Sequence, residues 1–175
     1  MRPFSDYLSV ILKHEGGLVN NPNDPGGITN YGISLMFLKG ISLPMADIDH
    51  DGDVDADDIR KMTTSSASNL YKAYFWDKTN IESVNNELLR LQLFDMGVNA
   101  GNKTAIKLLQ ILLQTVSDGI IGPATLSRIK SYSGDIVFDY AKTRKNYYTN
   151  LTVQKQNLKE FLKGWINRVN TTNFL

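Results

Sequence analysis

Glu15 closes an apolar stripe. Phe4, Tyr7, Leu8, Ile11 and Leu12 precede it at the spacing of one helical face, and Gly16-Gly17 follow as a stop. At that place partial desolvation and the negative end of the helix dipole both disfavour an ionised carboxylate. A side chain that keeps its proton near neutral pH is what a general acid needs when a leaving oxygen departs. The two glycines leave room for a bulky substrate. Beyond them, residues 20–31 hold two prolines, two glycines and four asparagines and read as an irregular loop returning across the helix end. That loop offers a second carboxylate, Asp24, and the hydroxyls of Thr29 and Tyr31. Pattern alone favours Glu15 as the last exposed residue of a helix closed by a C-cap glycine, and it is the groups of this loop that shift the balance.

A second carboxylate cluster implies different chemistry. Asp47, Asp49, Asp51, Asp55 and Asp58 occupy positions 1, 3, 5, 9 and 12 of a twelve-residue stretch with Gly52 at position 6. A hard cation needs six to eight oxygens, and a loop supplying them must wrap around it; the glycine permits the sharp turn and the carbonyl of Asp53 at position 7 points inward. The stretch resembles an EF-hand loop, and its Asp at position 12 followed by Ile59 is similar to the dockerin version, although dockerins carry two such loops. One structural calcium held by Asp47, Asp49, Asp51, Asp53, Asp55 and Asp58 is the expectation, with Val54 anchoring the loop. The alternative is a solvated acidic loop. Seven carboxylates in twelve residues repel one another without a cation, so the loop is expected to lose order in chelator. The ion is not expected to take part in chemistry, since calcium activates water poorly and His14 and His50 are too few for a typical zinc site.

The elements that must position these groups read as helices. After the first helix, short helical turns are expected around Ile33 to Leu38, then a helix from Thr64 to Trp76 capped by Thr64 or Ser65, and another over Leu88 to Val98. The run Ala105 to Val116 is apolar on most faces and is expected to be the least exposed element. Pro123 suits the first position of a helix through Ile129, and two longer helices over about 134–150 and 154–169 complete the chain. Sustained alternation is missing, so little or no sheet is expected.

The chain has 175 residues, 42% of them apolar, which fits one domain or two small ones and argues against disorder. A net charge of +1 removes any whole-chain electrostatic case for nucleic acid. Charge is nevertheless uneven. Residues 90–175 hold twelve Lys/Arg against five Asp/Glu, a net +7, whereas residues 1–89 hold seven against thirteen. Zero cysteine excludes disulfides and thiolate metal sites. The N-terminus carries no apolar run of signal-peptide length and no stretch reaches transmembrane length, so a holin or a dedicated exporter is expected to bring a protein synthesised in the cytoplasm to any target outside it.

Glu15-Gly16-Gly17, Asn20-Asn21 and the run from Asp24 through Pro25-Gly26-Gly27-Ile28-Thr29-Asn30-Tyr31-Gly32-Ile33 to Ser34 resemble the signature of glycoside hydrolase family 108. The resemblance continues through Tyr71–Asp77 and Phe94–Gly101. Members of that family are N-acetylmuramidases found as phage endolysins and as so-called secretion activators. The resemblance implies an all-α, lysozyme-like, two-lobed fold and cleavage of the β-1,4 bond between N-acetylmuramic acid and N-acetylglucosamine of peptidoglycan. It makes Glu15 the catalytic acid. Asp24 then either positions water as a base or stabilises the positive sugar ring, or else caps the turn at Gly26-Gly27. Thr29 and Tyr31 would orient substrate. Trp76, Trp165 and Tyr31 could stack on a pyranose, though large aromatics more often supply buried area.

The acidic insertion, about 45–62, is where the chain departs from the family, and it is expected to spare the active site. On this reading residues 1–89 form the muramidase domain. Residues 90–175 resemble a predicted peptidoglycan-binding domain, most recognisably at Asp118–Thr125, and their positive charge would draw them to an anionic wall or merely complete the helical surface. A monomer acting on glycan strands is expected. The competing readings are a non-catalytic wall-binding or secretion-activator module and a lytic transglycosylase, which uses the same acid without a hydrolytic water.

Overall fold

Ten α-helices, a few single helical turns and one small hairpin are seen among the described residues, 2–20 and 27–172 of a computed structural model. The chain forms two compact units, Pro3–Tyr74 and Phe75–Leu175 with Met1–Arg2. The expectation of a helical, lysozyme-like fold stands.

In the first unit, α1 (Phe4–His14) buries Tyr7, Leu8 and Ile11 on the face that the spacing marks. Its end differs from a glycine cap. Glu15 itself leaves the helix in an extended conformation while its N–H still donates to the Ile11 carbonyl at 3.1 Å, and neither Gly16 nor Gly17 takes a positive φ. Strands β1 (Thr29–Asn30) and β2 (Ile33–Ser34) pair antiparallel, with Val19 bridged to Thr29 on the other side. Ser34 then caps α2 (Leu35–Lys39) by accepting from the Phe37 N–H at 3.1 Å. Helix α3 (Leu43–Ala46) leads into the acidic loop, and α4 (Ala56–Lys61) leads out of it. The cap of α5 (Thr64–Tyr71) falls one residue before the expected pair, at Thr63, where a reciprocal box with Ser66 satisfies both backbone donors. The regular helix expected to Trp76 ends early, and Lys72–Trp76 is wound as a π-helical turn.

In the second unit the burial order reverses the expectation. Helix α6 (Glu87–Ala100) is buried continuously from Leu89 to Gly97, whereas α7 (Asn102–Leu112) buries only one face and leaves Ile111 59% exposed. Helix α6, which packs on α7, on α9 (Ile136–Gln154) and on the turn at Ile81–Ser83, is buried on every side over those residues. Three of its buried side chains have polar partners. Arg90 Nε donates to the Val84 carbonyl at 2.7 Å and Gln92 Nε2 to the Val137 carbonyl at 3.1 Å. Asp95 binds Arg144 of α9 and, at 2.7 Å, Arg168 of α10 (Leu162–Thr171). The Asp118–Gly122 turn is pinned by buried Gln110, whose amide donates to Asp118, the Ile120 carbonyl and Thr125 while its oxygen accepts from Gly119. Pro123 then opens α8 (Pro123–Lys130) as expected.

Two tyrosines of this unit make its stability pH-dependent. Tyr140 donates to the Ala105 carbonyl at 2.9 Å and Tyr148 to Asn99 at 2.6 Å. Burial pushes both hydroxyls up, that of Tyr148 to about 12. An acid whose pKa rises on folding lends its full stability below the unfolded value, near ~10, and loses it as pH climbs through the folded value. Helical circular dichroism should therefore fall as pH rises from ~10 through ~12, together with a late component of phenolate absorbance that Tyr148→Phe diminishes. Complete early phenolate formation with the helices intact would contradict this.

Candidate active site

The turn between β1 and β2 consists of Tyr31 at φ 49° and Gly32 at φ 75°, a two-residue connection in which both residues are left-handed. Glycine accepts that conformation freely and tyrosine does not. The Tyr31 carbonyl is held by the Tyr71 hydroxyl at 2.8 Å, while Ile28 and Ile33 bury the hairpin's apolar face. The turn lies against the end of α1. A Cβ on Gly32 would stand 2.6 Å from Glu15 Cδ and 2.7 Å from its Cγ, so only glycine leaves space for the glutamate carboxyl there. Glu15 is half-buried, and Gly16 and Gly17 beside it are open, with nothing within 4 Å of an added Cβ.

The structure thus brings Glu15, Tyr31 and, through the Val19 bridge, the Thr29 backbone to one end of α1. Asp24 lies outside the described residues. Trp76 is corrected: at 2% exposure its ring offers no face to a sugar, because Nε1 donates to Glu82 at 2.7 Å and the ring meets Phe94 edge-on. Trp165 is half-buried and stacks on Tyr148. The residues that sequence reasoning passed over are Gly32, which seats Glu15, and Asn30. The Asn30 side chain is buried and its amide donates to the Ile59 carbonyl at 3.0 Å, which ties the hairpin to the helix leaving the acidic loop. The insertion is therefore not separate from this end of α1. A signal for the turn was present in the glycine that follows Tyr31; nothing in the sequence marks a tyrosine for positive φ.

In the acidic loop, Asp47 accepts from the N–H groups of Asp51 and Gly52, and Gly52 takes φ 99° at the expected turn. Asp58 is 1% exposed and accepts from Ile48, Asp49 and Asp55 at 2.6, 3.4 and 2.7 Å. Carboxylate oxygens of Asp47, Asp49 and Asp58 lie within 4.8 Å of one another, as do those of Asp53, Asp55 and Asp58. Asp51 belongs to neither group and accepts from the Asp53 N–H instead. The hydrogen bond from Lys61 holds the Asp49 carboxyl below the usual carboxylate range, whereas the charge of Asp51, above all, raises Asp53. A cavity of about 310 Å³ lined by Met45, Asp47, Ile48, His50, Ser66 and Leu70 adjoins this loop; Glu15 does not line it.

Residues 8–101 match the family model described as Glycosyl hydrolase 108. The chain belongs to that family. In this glycosyl hydrolase 108 protein, residues 104–170 also match a model described as Predicted Peptidoglycan domain. Its structure is similar to that of SagA from Brucella abortus, at 25% identity and a TM-score of 0.77, with 97% of this chain and 91% of that one covered. No curated protein matches it. It is thus a peptidoglycan-directed glycoside hydrolase or a related cell-wall module. The family's first match extends through α6, a helix of the second compact unit. No helix among the described residues is long and apolar enough to cross a membrane.

Proposed function

We propose that this glycosyl hydrolase 108 protein is an endo-N-acetylmuramidase that hydrolyses the β-1,4 bond between N-acetylmuramic acid and N-acetylglucosamine, with Glu15 as the general acid. The observation that carries the reading is the seat of Glu15, just past the end of α1 and against the bare backbone of Gly32. Glu15 protonates the glycosidic oxygen as the bond breaks, and Asp24 either directs water or stabilises the oxocarbenium-like ring. Thr29 and Tyr31 orient the strand. The basic second half assists by attraction to wall carboxylates, which salt weakens.

Digestion of purified walls with product analysis tests the reading. New reducing ends on N-acetylmuramic acid support it; anhydro-muramic ends make the protein a lytic transglycosylase, and wall binding without any new end makes it a non-catalytic module. Gly32→Ala gives a second check. The added methyl must displace the Glu15 carboxyl and is strained at positive φ, and a misplacement of about 1 Å costs roughly 100-fold in rate. Clearing of wall suspensions should fall by about that factor while circular dichroism stays native. Undiminished clearing would separate Glu15 from the chemistry.

A further inference from the structure

We propose that the groove between α7 and α9 is a glycan-binding site of the second unit, one that takes the uncharged N-acetylhexosamine backbone of the wall and not its peptide carboxylates. The inference rests on the peptidoglycan-directed reading of the chain and is independent of Glu15 as the acid. Every residue lining the groove falls within 104–170, the span matched by the model described as Predicted Peptidoglycan domain.

The cavity measures about 520 Å³, inside the range of about 300–1,000 Å³ usual for ligand clefts. Leu108 and Ile111 of α7 give it an apolar wall, and Ile111 is the exposed side of that helix. On α9, residues four apart share a row. Asn146, Asn150 and Gln154 therefore form a line of amides with about 6 Å of rise between neighbours, beside a second line made of Thr143, Tyr147 and Leu151. The three amides and the Tyr147 hydroxyl have no hydrogen-bond partner among the described residues. Asparagine is a weak choice for a helix interior, and at exposed positions 146 and 150 no packing demands it. A ligand that needs groups able both to donate and to accept does.

Tyr147 is held from behind. Its ring meets that of Tyr148 at 5.4 Å, and Tyr148 is itself buried and stacked on Trp165 at 4.9 Å. A fixed aromatic ring next to a row of amides suits a pyranose, whose C–H face packs on the ring while its hydroxyl and acetamido groups meet the amides.

Charge decides between glycan and peptide. No Asp, Glu, Lys or Arg lines the groove, although residues 90–175 carry a net +7. A stem-peptide carboxylate would be desolvated there without a cation to pair it. The groove's contribution should thus survive salt that screens the lysines around it.

The test is a nitrogen-15 NMR titration of the full-length Glu15→Gln chain, which leaves the probe uncleaved, with a β-1,4-linked N-acetylglucosamine tetramer and separately with a free stem peptide. The tetramer should shift the backbone amides of residues 143–154 saturably, and the peptide should not. Asn146→Ala combined with Asn150→Ala removes two hydrogen bonds of ordinary net strength and should weaken the tetramer at this face by about tenfold. The same pair should lower retention on purified walls by about that factor even at about 1 M salt, where the Debye length is about 3 Å. Tetramer shifts that leave this face untouched, shifts here from the peptide instead, unchanged affinity in the double variant, or occupation of the face by a second copy of the chain, seen as concentration-dependent shifts without probe, would each overturn the site. All four leave the hydrolytic role of Glu15 standing, so the two readings fail separately.

Discussion

Glu15→Gln is expected to cut wall hydrolysis by about 1000-fold or more while leaving the protein folded, because proton transfer from a positioned acid contributes about 10²–10⁴-fold. Gln keeps the shape of the side chain and its fit against Gly32, so stability should stay within about 0.5 kcal/mol of the parent. Wall binding should persist, since the residues of the second unit are untouched. The amide cannot surrender a proton to the departing sugar oxygen, and the lost step is therefore the chemical one. Turbidity clearing together with a pull-down on purified walls separates these effects. Clearing within about tenfold of the parent would mean that another group donates the proton.

Asp95→Ala is the substitution expected to harm stability most. Asp95 and Arg144 are both fully buried, Arg168 is 11% exposed, and the single carboxylate serves both guanidinium groups. Arg144 also reaches the Thr172 hydroxyl at 3.0 Å, while its Nε has no partner among the described residues. Deleting the carboxylate leaves Arg144 charged, sealed from water and poorly paired, which costs about 3–5 kcal/mol. At about 2–4 °C per kcal/mol for a chain of this size, the melting temperature should drop by about 10 °C. Exchanging Asp95 and Arg144 together for apolar residues of similar volume should recover much of that loss, because the desolvation penalty disappears with the charges. A melting temperature unchanged in Asp95→Ala would show that the trio contributes no net stability.

The helices were readable wherever one face was apolar and a cap was local. The stripe from Phe4 to Leu12, and Pro123 at the start of α8, depend on neighbours within a turn. Burial was misread between α6 and α7 because it depends on what packs against a helix from distant parts of the chain. Asp95 and Arg90 look like surface residues by composition and become internal only through partners far along the sequence. At the candidate site the stripe places Glu15 at the helix end, and there the structure has it just past α1 and half-buried. The role of Gly32 was not legible, since it arises from a fold-back that brings residue 32 onto residue 15. Trp76 failed as a sugar platform for the same reason that made it noticeable: a large ring is valuable in an interior.

The Asn30 amide resting on the Ile59 carbonyl bears on anyone wishing to trim this molecule to a minimal form. Splicing out segment 45–62 as a dispensable ornament would strand that amide in a dry interior, so the deletion calls for a simultaneous apolar replacement at position 30. What looks like an appendage when the chain is read linearly is, in three dimensions, a strut.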